Sequence, residues 1–591
     1  MKELQYPFDS DHILSKKKSI RKKLYSQSVD FLQKKVAILG GSTTSDIKLI
    51  LELFLLEQGI KPEFYESEYN QYYQEAMFSN TALEKFRPDI IYIYTTNRNI
   101  IKYPDILDSE ENVEVLIQTE IQKYTGIWER LTQVYQCPII QNNFELPFYR
   151  LLGNKDASDI HGAVNFITRL NMEFYQKAKE YANLYICDIN YISADYGLKE
   201  WSDPFYWYMY KYALNVSAIP YLAYNVANII KSIFGKNKKG LVLDLDNTLW
   251  GGVIGDDGVD NIVLGPETSE GQAYLEFQQY IKALSRCGIV LNVNSKNDYE
   301  NAVSGLQHPD GELKLEDFAE IKANWNAKNI NFQEIAGNLN LLPESLVFVD
   351  DNPAERAIVS ETLDVCAPDI NEVQHYIQTI DRAGYFEVTS LSEDDLNRKE
   401  MYQENVQRRK LESSFENYEE YLLSLEMNGT IRPFEPIYMS RIAQLTNKSN
   451  QFNLTTKRYT QEEIEQIASD GSRITLYGKL ADKFGDNGVV SVVIGNIVGE
   501  ECHMELWIMS CRVLKRDMEF AMFDILVKNC IERGVKKIFG YYYPTAKNGM
   551  VKEFYGNMGF ELMELSEKQS VWRFDITKEY INKNKVIKVE V

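Results

Sequence analysis

Three apolar strands that each end in polar side chains constrain this 591-residue chain more than any other feature of it. LVLDLDNT delivers Asp244, Asp246 and Thr248; IVLNVNSKND delivers Ser295, Lys296 and Asn297; LVFVDDNPAE delivers Asp350 and Asp351. Short apolar runs alternating with helical patterns read as parallel strands buried on both faces, an α/β arrangement. In such sheets ligands bind beyond the carboxyl ends of the strands, so these polar groups can converge in one crevice. Between the second and third strands, NWNAKN places Lys328 at the start of the helical pattern NFQEIAGNLN.

Carboxylates gathered in one crevice repel one another unless a cation holds them. Magnesium is a hard ion that takes oxygen ligands, and Asp244, Asp350 and the backbone carbonyl of Asp246 suit it. A carboxylate can attack phosphorus and form an aspartyl-phosphate, which makes Asp244 the candidate nucleophile. The metal and Lys328 would offset charge on the phosphoryl oxygens, and Ser295 would donate a hydrogen bond to one of them. Thr248 and Asn297 complete the predicted phosphate loop. Asp246 is placed to protonate the leaving oxygen and later to activate water. The 51 residues from Asp244 to Ser295 and the 33 from Ser295 to Lys328 leave no room for a sizeable lid domain. An open site is expected, suited to a macromolecular substrate or one presented by a carrier.

At roughly 150 residues per domain, a chain of this length holds three or four domains. Polar breaks at 235–240 and 376–395 divide it into about 1–234, 238–375 and 390–591. Lys plus Arg total 64 against 86 Asp plus Glu, and the net charge of −22 argues against nonspecific nucleic-acid binding. No apolar run reaches the roughly 20 residues of a membrane span, and the N-terminus lacks a signal-peptide core. A cytoplasmic location is the expectation. The basic run from Lys16 to Lys23 reads as a solvated helix face, with docking to a membrane or an acidic partner as the alternative. Seven scattered cysteines with no CxxC pair suggest reduced thiols.

The order DLDNTLW, a Ser after a strand, a Lys, then DD resembles the four motifs of the haloacid-dehalogenase (HAD) superfamily. Carried over by position, the resemblance makes Asp244 the nucleophile, Asp246 the general acid/base, Ser295 and Lys328 phosphate ligands and Asp350 a Mg2+ ligand. Asp351 would orient Lys328 or a metal-bound water. DLDNTLWGGVIGDDG, VFVDDNPAER and NKSNQFNLTTKRY together resemble the FkbH-like proteins, or HAD-IIIC phosphatases. That narrower resemblance implies dephosphorylation of a small phosphorylated acyl donor of the 1,3-bisphosphoglycerate type. It further implies loading of the three-carbon unit on an acyl carrier protein. The alternatives are a plain phosphatase of sugar or surface-polysaccharide metabolism and a non-catalytic assembly protein. In glyceryl-transferring members the residue between the two motif aspartates is often Cys; here it is Leu245. Cys511, in MSCRVLKR, is the other candidate acyl acceptor, and its competing reading is a buried small hydrophobe.

The flanking segments carry resemblances of their own. KKVAILGGSTTSD and TTNRN resemble an SGNH-hydrolase domain, with Ser42 at the nucleophile position. The string matching that family's Asp-x-x-His dyad is Asp203-Pro204-Phe205-Tyr206, whose Tyr cannot serve as base, so a docking or scaffolding role is expected. The segment from about residue 430 resembles an N-acetyltransferase (GNAT) fold. Its pyrophosphate loop would fall on Arg512–Asp517, with Lys515 and Asp517 at the two glycine positions. Lys515 and Arg516 are the candidates to meet a phosphopantetheine arm or acidic carrier helices. Asn447, Asn450, Gln451 and Asn453 form an amide cluster that reads either as a ligand site or as a capped polar loop.

Overall fold

β-branched and aromatic runs such as VAIL and IIYIY cannot alternate polar and apolar faces, so they form strands covered on both sides. In the computed structural model, which describes residues 1–27, 31–449, 451–545, 547–576 and 580–591, these runs build three sheets. The chain divides into two compact units, Met1–Ile233 and Phe234–Val591.

The first unit is a parallel sheet of β1 (Leu32–Gly40), β2 (Ile60–Glu66), β3 (Ile90–Tyr94), β4 (Ile139–Asn142) and β5 (Leu184–Cys187), in the order β2-β1-β3-β4-β5. Its longest helix, Glu110–Tyr135, starts where the Ser109 hydroxyl accepts the Asn112 N–H and stops at Gln136 in the left-handed conformation. Val113, Ile117, Ile121, Tyr124, Trp128 and Leu131 recur every three or four residues and bury one stripe of it. The basic run lies on the helix Ser10–Ser26, where Lys17 pairs with Asp46 at 2.7 Å and Lys23 with Glu3 at 2.9 Å.

The second unit holds two sheets. The smaller has β6 (Gly240–Leu243), β7 (Val290–Ser295), β8 (Phe318–Ala323) and β9 (Leu346–Val349), all parallel, in the order β8-β7-β6-β9. The strand after β6 is laid on one side of it and β9 on the other, so β6 sits at a topological switch point. No more than loop, one turn of helix and the strand-connecting helices separate these strands; the span from Ser295 to Lys328 contains a short helix, Tyr299–Leu306, and β8.

The larger sheet contains β10 (Asn428–Arg432), β11 (Arg473–Asp482), β12 (Gly485–Val498), β13 (Glu501–Met509), β14 (Lys537–Tyr542), β15 (Glu561–Leu565), β16 (Ser570–Asp575) and β17 (Lys588–Glu590). It is antiparallel except where β13 runs beside β14 and β10 beside β17. β13 and β14 pair only over Glu501–His503 and Lys537–Phe539. The segment Phe452–Leu454 fills the gap beyond: Leu454 N–H donates to the Trp507 carbonyl at 3.2 Å and Tyr543 N–H to the Leu454 carbonyl at 2.9 Å.

A helix over Arg398–Glu412 ties the two sheets together. Lys399 pairs with Asp317 at 2.7 Å and Arg409 with Glu320 at 2.6 Å on the smaller sheet. On the larger, the Arg408 guanidinium donates twice to Asp482, at 2.7 Å each. Among the described residues no helix is long and apolar enough to cross a membrane.

Candidate active site

Asp244 follows β6 directly, and its N–H donates to the Val349 carbonyl of β9 at 2.9 Å. That bond draws Asp350 and Asp351 alongside. Lys328 begins the helix Lys328–Asn338; its carbonyl accepts from the Asn294 amide at 2.9 Å, which fixes the helix start against β7. The Lys328 ammonium lies 2.7 Å from an Asp244 oxygen and 2.5 Å from Asp350. All three side chains are buried. Burial alone would discharge the lysine, but Asp244 and Asp350 outweigh it and hold its pKa above the ordinary value.

The remaining carboxylates are strained electrostatically. Burial, and then the Asp244 charge, push Asp350 up to about 6. Asp351 is raised for the same two reasons. The second oxygen of Asp244 is buried without a hydrogen-bond partner. Carboxylate oxygens of Asp244, Asp350 and Asp351 lie within 4.8 Å of one another. An orphaned buried oxygen among three converging carboxylates, with one ammonium to compensate them, fits a hard divalent cation such as Mg2+.

The donor set brings the expected Asp244 and Asp350 together and adds a third carboxylate. The Asp246 carboxylate is turned away, accepting from Trp250 Nε1 at 2.9 Å, Ile254 N–H at 3.2 Å and Asn297 Nδ2 at 3.0 Å. Its backbone carbonyl is what it can still offer a metal. Asp351, expected to orient Lys328 or a metal-bound water, has a carboxylate that lies within the cluster itself. Burial raises the Asp246 pKa, which favours the protonated form a general acid needs.

Two members of the predicted phosphate loop have hydrogen-bond partners within the site. Thr248 is fully buried, and its hydroxyl accepts the Asp351 N–H at 3.2 Å. Asn297 spends its amide on Asp246. Ser295 ends β7 with its side chain buried at the same strand end. Sequence reasoning passed over Trp250, which orients the acid, and Arg356, whose guanidinium pairs with Asp369 and donates to the Asp350 and Asp351 carbonyls at 2.8 and 2.7 Å. Both sit inside the quoted motif strings, four residues after Asp246 and five after Asp351, which was the available signal. The loop between Trp250 and Val263 folds back through a Gly251–Val263 bridge and the turn Ile254–Asp257, and no separate lid domain is present among the described residues. Tyr299, at the start of the helix after β7, and Trp325, on the loop after β8, stand exposed.

The other predicted residues lie elsewhere. Cys511 is half-buried and packs near the smaller sheet, but in a cavity shared with Lys239 and Ser345, which precede β6 and β9. It therefore sits at the amino ends of the strands whose carboxyl ends carry Asp244, and direct transfer between the two is out of reach. Arg516 is buried, donating to Asn405 at 2.5 Å and to Asp482 at 3.2 Å, so it is not available to a carrier. Lys515 is exposed. Lys515 and Asp517 hold φ of +65° and +59°, the conformation glycine would take at those positions. Of the amide cluster, Asn447 donates to the Ala443 and Tyr459 carbonyls, and Asn453 accepts the Thr456 N–H, so both brace the loop. Asn450 lies outside the described residues. In the first unit Ser42 is buried after β1, while Asp203 caps the helix Pro204–Tyr210 that contains Tyr206.

Residues 35–231 match the family model described as FkbH, N-terminal domain. The solved N-terminal part of the protein BF1531 from Bacteroides fragilis, containing a phosphatase domain complexed with Mg, is 30% identical. That match has a TM-score of 0.59 and covers 63% of this chain and 99% of that one. The chain belongs to the FkbH-like family. As an FkbH-like protein it carries a phosphatase domain of the HAD type. The ribosomal-protein-S18-alanine N-acetyltransferase from Escherichia coli matches at 12% identity and a TM-score of 0.21, covering 27% of this chain and 99% of its own. Ard1 from Thermoplasma volcanium matches at 18% and 0.21, covering 25% and 99%. No curated protein matches the sequence.

Proposed function

We propose that this FkbH-like protein removes phosphate from a small phosphorylated acyl donor through an aspartyl-phosphate on Asp244, and that the acyl unit is loaded on an acyl carrier protein. The observation that carries the phosphatase step is the division of labour between two neighbouring carboxylates. Asp244 is held beside Lys328 in the three-carboxylate cluster, whereas Asp246 is held apart by Trp250, Ile254 and Asn297 with its proton favoured. Such opposed environments assign a nucleophile and an acid.

In the proposed reaction an Asp244 oxygen attacks phosphorus, the bond from phosphorus to the ester oxygen breaks, and Asp246 protonates the departing alcohol. Asp246, then ionised, takes a proton from the water that cleaves the aspartyl-phosphate. Lys328 and Ser295 hold the phosphoryl oxygens through both steps. Mg2+, held by Asp244, Asp350, Asp351 and the Asp246 carbonyl, would supply the charge stabilisation that the transferring group needs.

For acyl loading, the carrier's own thiol is the acceptor we favour. Leu245 supplies no thiol beside the nucleophile, and Cys511 lies at the far end of the strands. The thiol would attack the acyl carbon and expel the acyl-bound phosphate. The same two observations support a second reading, a phosphatase without acyl transfer. Incubation with Mg2+, 1,3-bisphosphoglycerate and a phosphopantetheinylated carrier, followed by intact mass, separates them. A glyceryl adduct on the carrier is expected; phosphate release with unmodified carrier would leave the plain phosphatase.

A further inference from the structure

Between Asp246 and Thr248 stands Asn247, with φ of +55°. A residue with a Cβ adopts that conformation at a cost, which asparagine tolerates better than most. The Thr248 and Leu249 N–H groups both donate to the Leu245 carbonyl, at 3.1 and 2.7 Å. Leu245–Thr248 is thus a tight turn with Asn247 in its third position, where positive φ is the province of glycine and asparagine.

Three carboxylates depend on this turn. Asp244 leads into it and Asp246 is its second residue. Thr248 closes it, and the Thr248 hydroxyl accepts the Asp351 N–H at 3.2 Å. A return of Asn247 to negative φ would swing Thr248 away from Asp351 and re-aim the peptide group that follows Asp246. The Asn247 side chain supplies part of the restraint, since its Oδ1 accepts the Gly252 N–H at 2.9 Å.

The rest comes from two phenols, 27 and 129 residues further along the chain. The Tyr376 hydroxyl donates to the Asn247 carbonyl at 3.1 Å and the Tyr274 hydroxyl to the same oxygen at 3.4 Å. Two donors occupy both lone pairs of that carbonyl. Both rings are buried. Tyr274 lies on the helix Ser269–Arg286, and Tyr376 begins the helix Tyr376–Arg382. The Tyr376 ring meets Phe277 of the first helix edge-on, with centroids 5.4 Å apart. Packing therefore seats the phenols, and the phenols fix the turn. Each hydroxyl donates to backbone rather than to a reacting group, so its effect passes through Asn247.

We infer that Tyr376, with Tyr274 beside it, is a positioning residue that sets the Mg2+ affinity of the Asp244 site by holding Asn247 in the left-handed conformation. This role rests on the proposed Mg2+-dependent chemistry at Asp244. It also brings into the site a residue that follows the 238–375 segment in which the motifs lie. With the turn fixed, the carboxylates of Asp244 and Asp351 are placed before the cation arrives. With the turn loosened, cation binding must first order it, and affinity falls by that cost.

Mg2+ binding to the full chain, measured by isothermal titration calorimetry, tests this directly. Tyr376→Phe keeps the ring and removes the donor, and it should raise the Mg2+ dissociation constant about three- to tenfold. Tyr274→Phe, with the longer bond, should have the smaller effect. The double variant should weaken binding roughly ten- to a hundredfold. Partial unfolding would lower the binding stoichiometry and leave the dissociation constant of the folded fraction unchanged, so a merely structural role is told apart. An unchanged dissociation constant in Tyr376→Phe would overturn the inference, and that variant alone decides if the double variant does not fold. The readout needs no turnover. A chain whose Mg2+ affinity depends on Tyr376 but which releases no phosphate would sink the phosphatase reading and leave the positioning role standing.

Discussion

Substituting Asn at Asp244 or at Asp246 removes different things. Asp244→Asn deletes the attacking oxygen and should abolish phosphate release from any ester, with no phosphoenzyme detectable by mass. Asp246→Asn keeps the nucleophile but loses the carboxyl whose pKa burial raises, so turnover should fall by about 10²–10⁴. An activated ester such as p-nitrophenyl phosphate, whose leaving group needs no acid, should still phosphorylate Asp244 in a burst. A burst of normal turnover in Asp246→Asn would show that another group supplies the proton. A second residue-scale prediction concerns Glu145, buried in the first unit with its carboxylate accepting the Asn97 N–H at 3.3 Å. Burial raises its pKa to about 7 from 4.5. The folded chain therefore binds the more protons between those values, and stability falls as pH rises through that window, by about 3 kcal/mol. Glu145→Gln should raise the melting temperature of the first unit at pH 8, and the gain should vanish near pH 4.5.

At the scale of elements, the helix Arg398–Glu412 has little apolar surface of its own and is held by ion pairs. Arg408 and Asp482 are both almost wholly buried, and removing one partner of such a pair leaves an uncompensated charge at a cost of about 3–5 kcal/mol. Arg408→Met should lower the urea midpoint of the second unit accordingly, while Asp244 chemistry measured below that midpoint stays intact. The loops after β7 and β8 offer a different test. Trp325 is 71% exposed and donates from Nε1 to Asp298 at 2.9 Å. An aromatic ring held at the rim of the cleft suits contact with whatever presents the phosphate. Trp325→Ala should raise KM several-fold with kcat for p-nitrophenyl phosphate unchanged; a loss of kcat alone would place the ring in the chemistry instead.

The scale of the whole molecule shows why chemistry and attachment are separable. The groups around Asp244 stand at the carboxyl ends of the parallel strands, and the larger sheet is fastened at their amino ends through Lys239, Ser345 and the connecting helix. A chain stopped near residue 390 should keep phosphate release from small esters within a few-fold, at a lower melting temperature. The relative from Bacteroides fragilis was itself solved as an N-terminal part with its phosphatase domain, which accords with that expectation.

The sequence by itself determined the α/β character of the chain and the identity of the strands that carry Asp244, Ser295 and Asp350, because apolar runs and their polar ends are local signals. The meeting of these side chains at one edge follows from them, since parallel strands joined by helices bring their carboxyl ends together. Only the tertiary structure decided the direction in which each polar side chain is spent. Asp246 and Thr248 follow Asp244 after β6, and Asn297 follows Ser295 after β7, but Trp250, Ile254, the Asp351 N–H and Asp246 itself claim their polar groups. The same holds for Arg516 and for the Asn453 carbonyl, whose partners Asn405 and Asn548 lie far away in the chain. Hydrogen bonds and ion pairs between distant segments depend on how whole sheets are packed, and no local pattern encodes that packing.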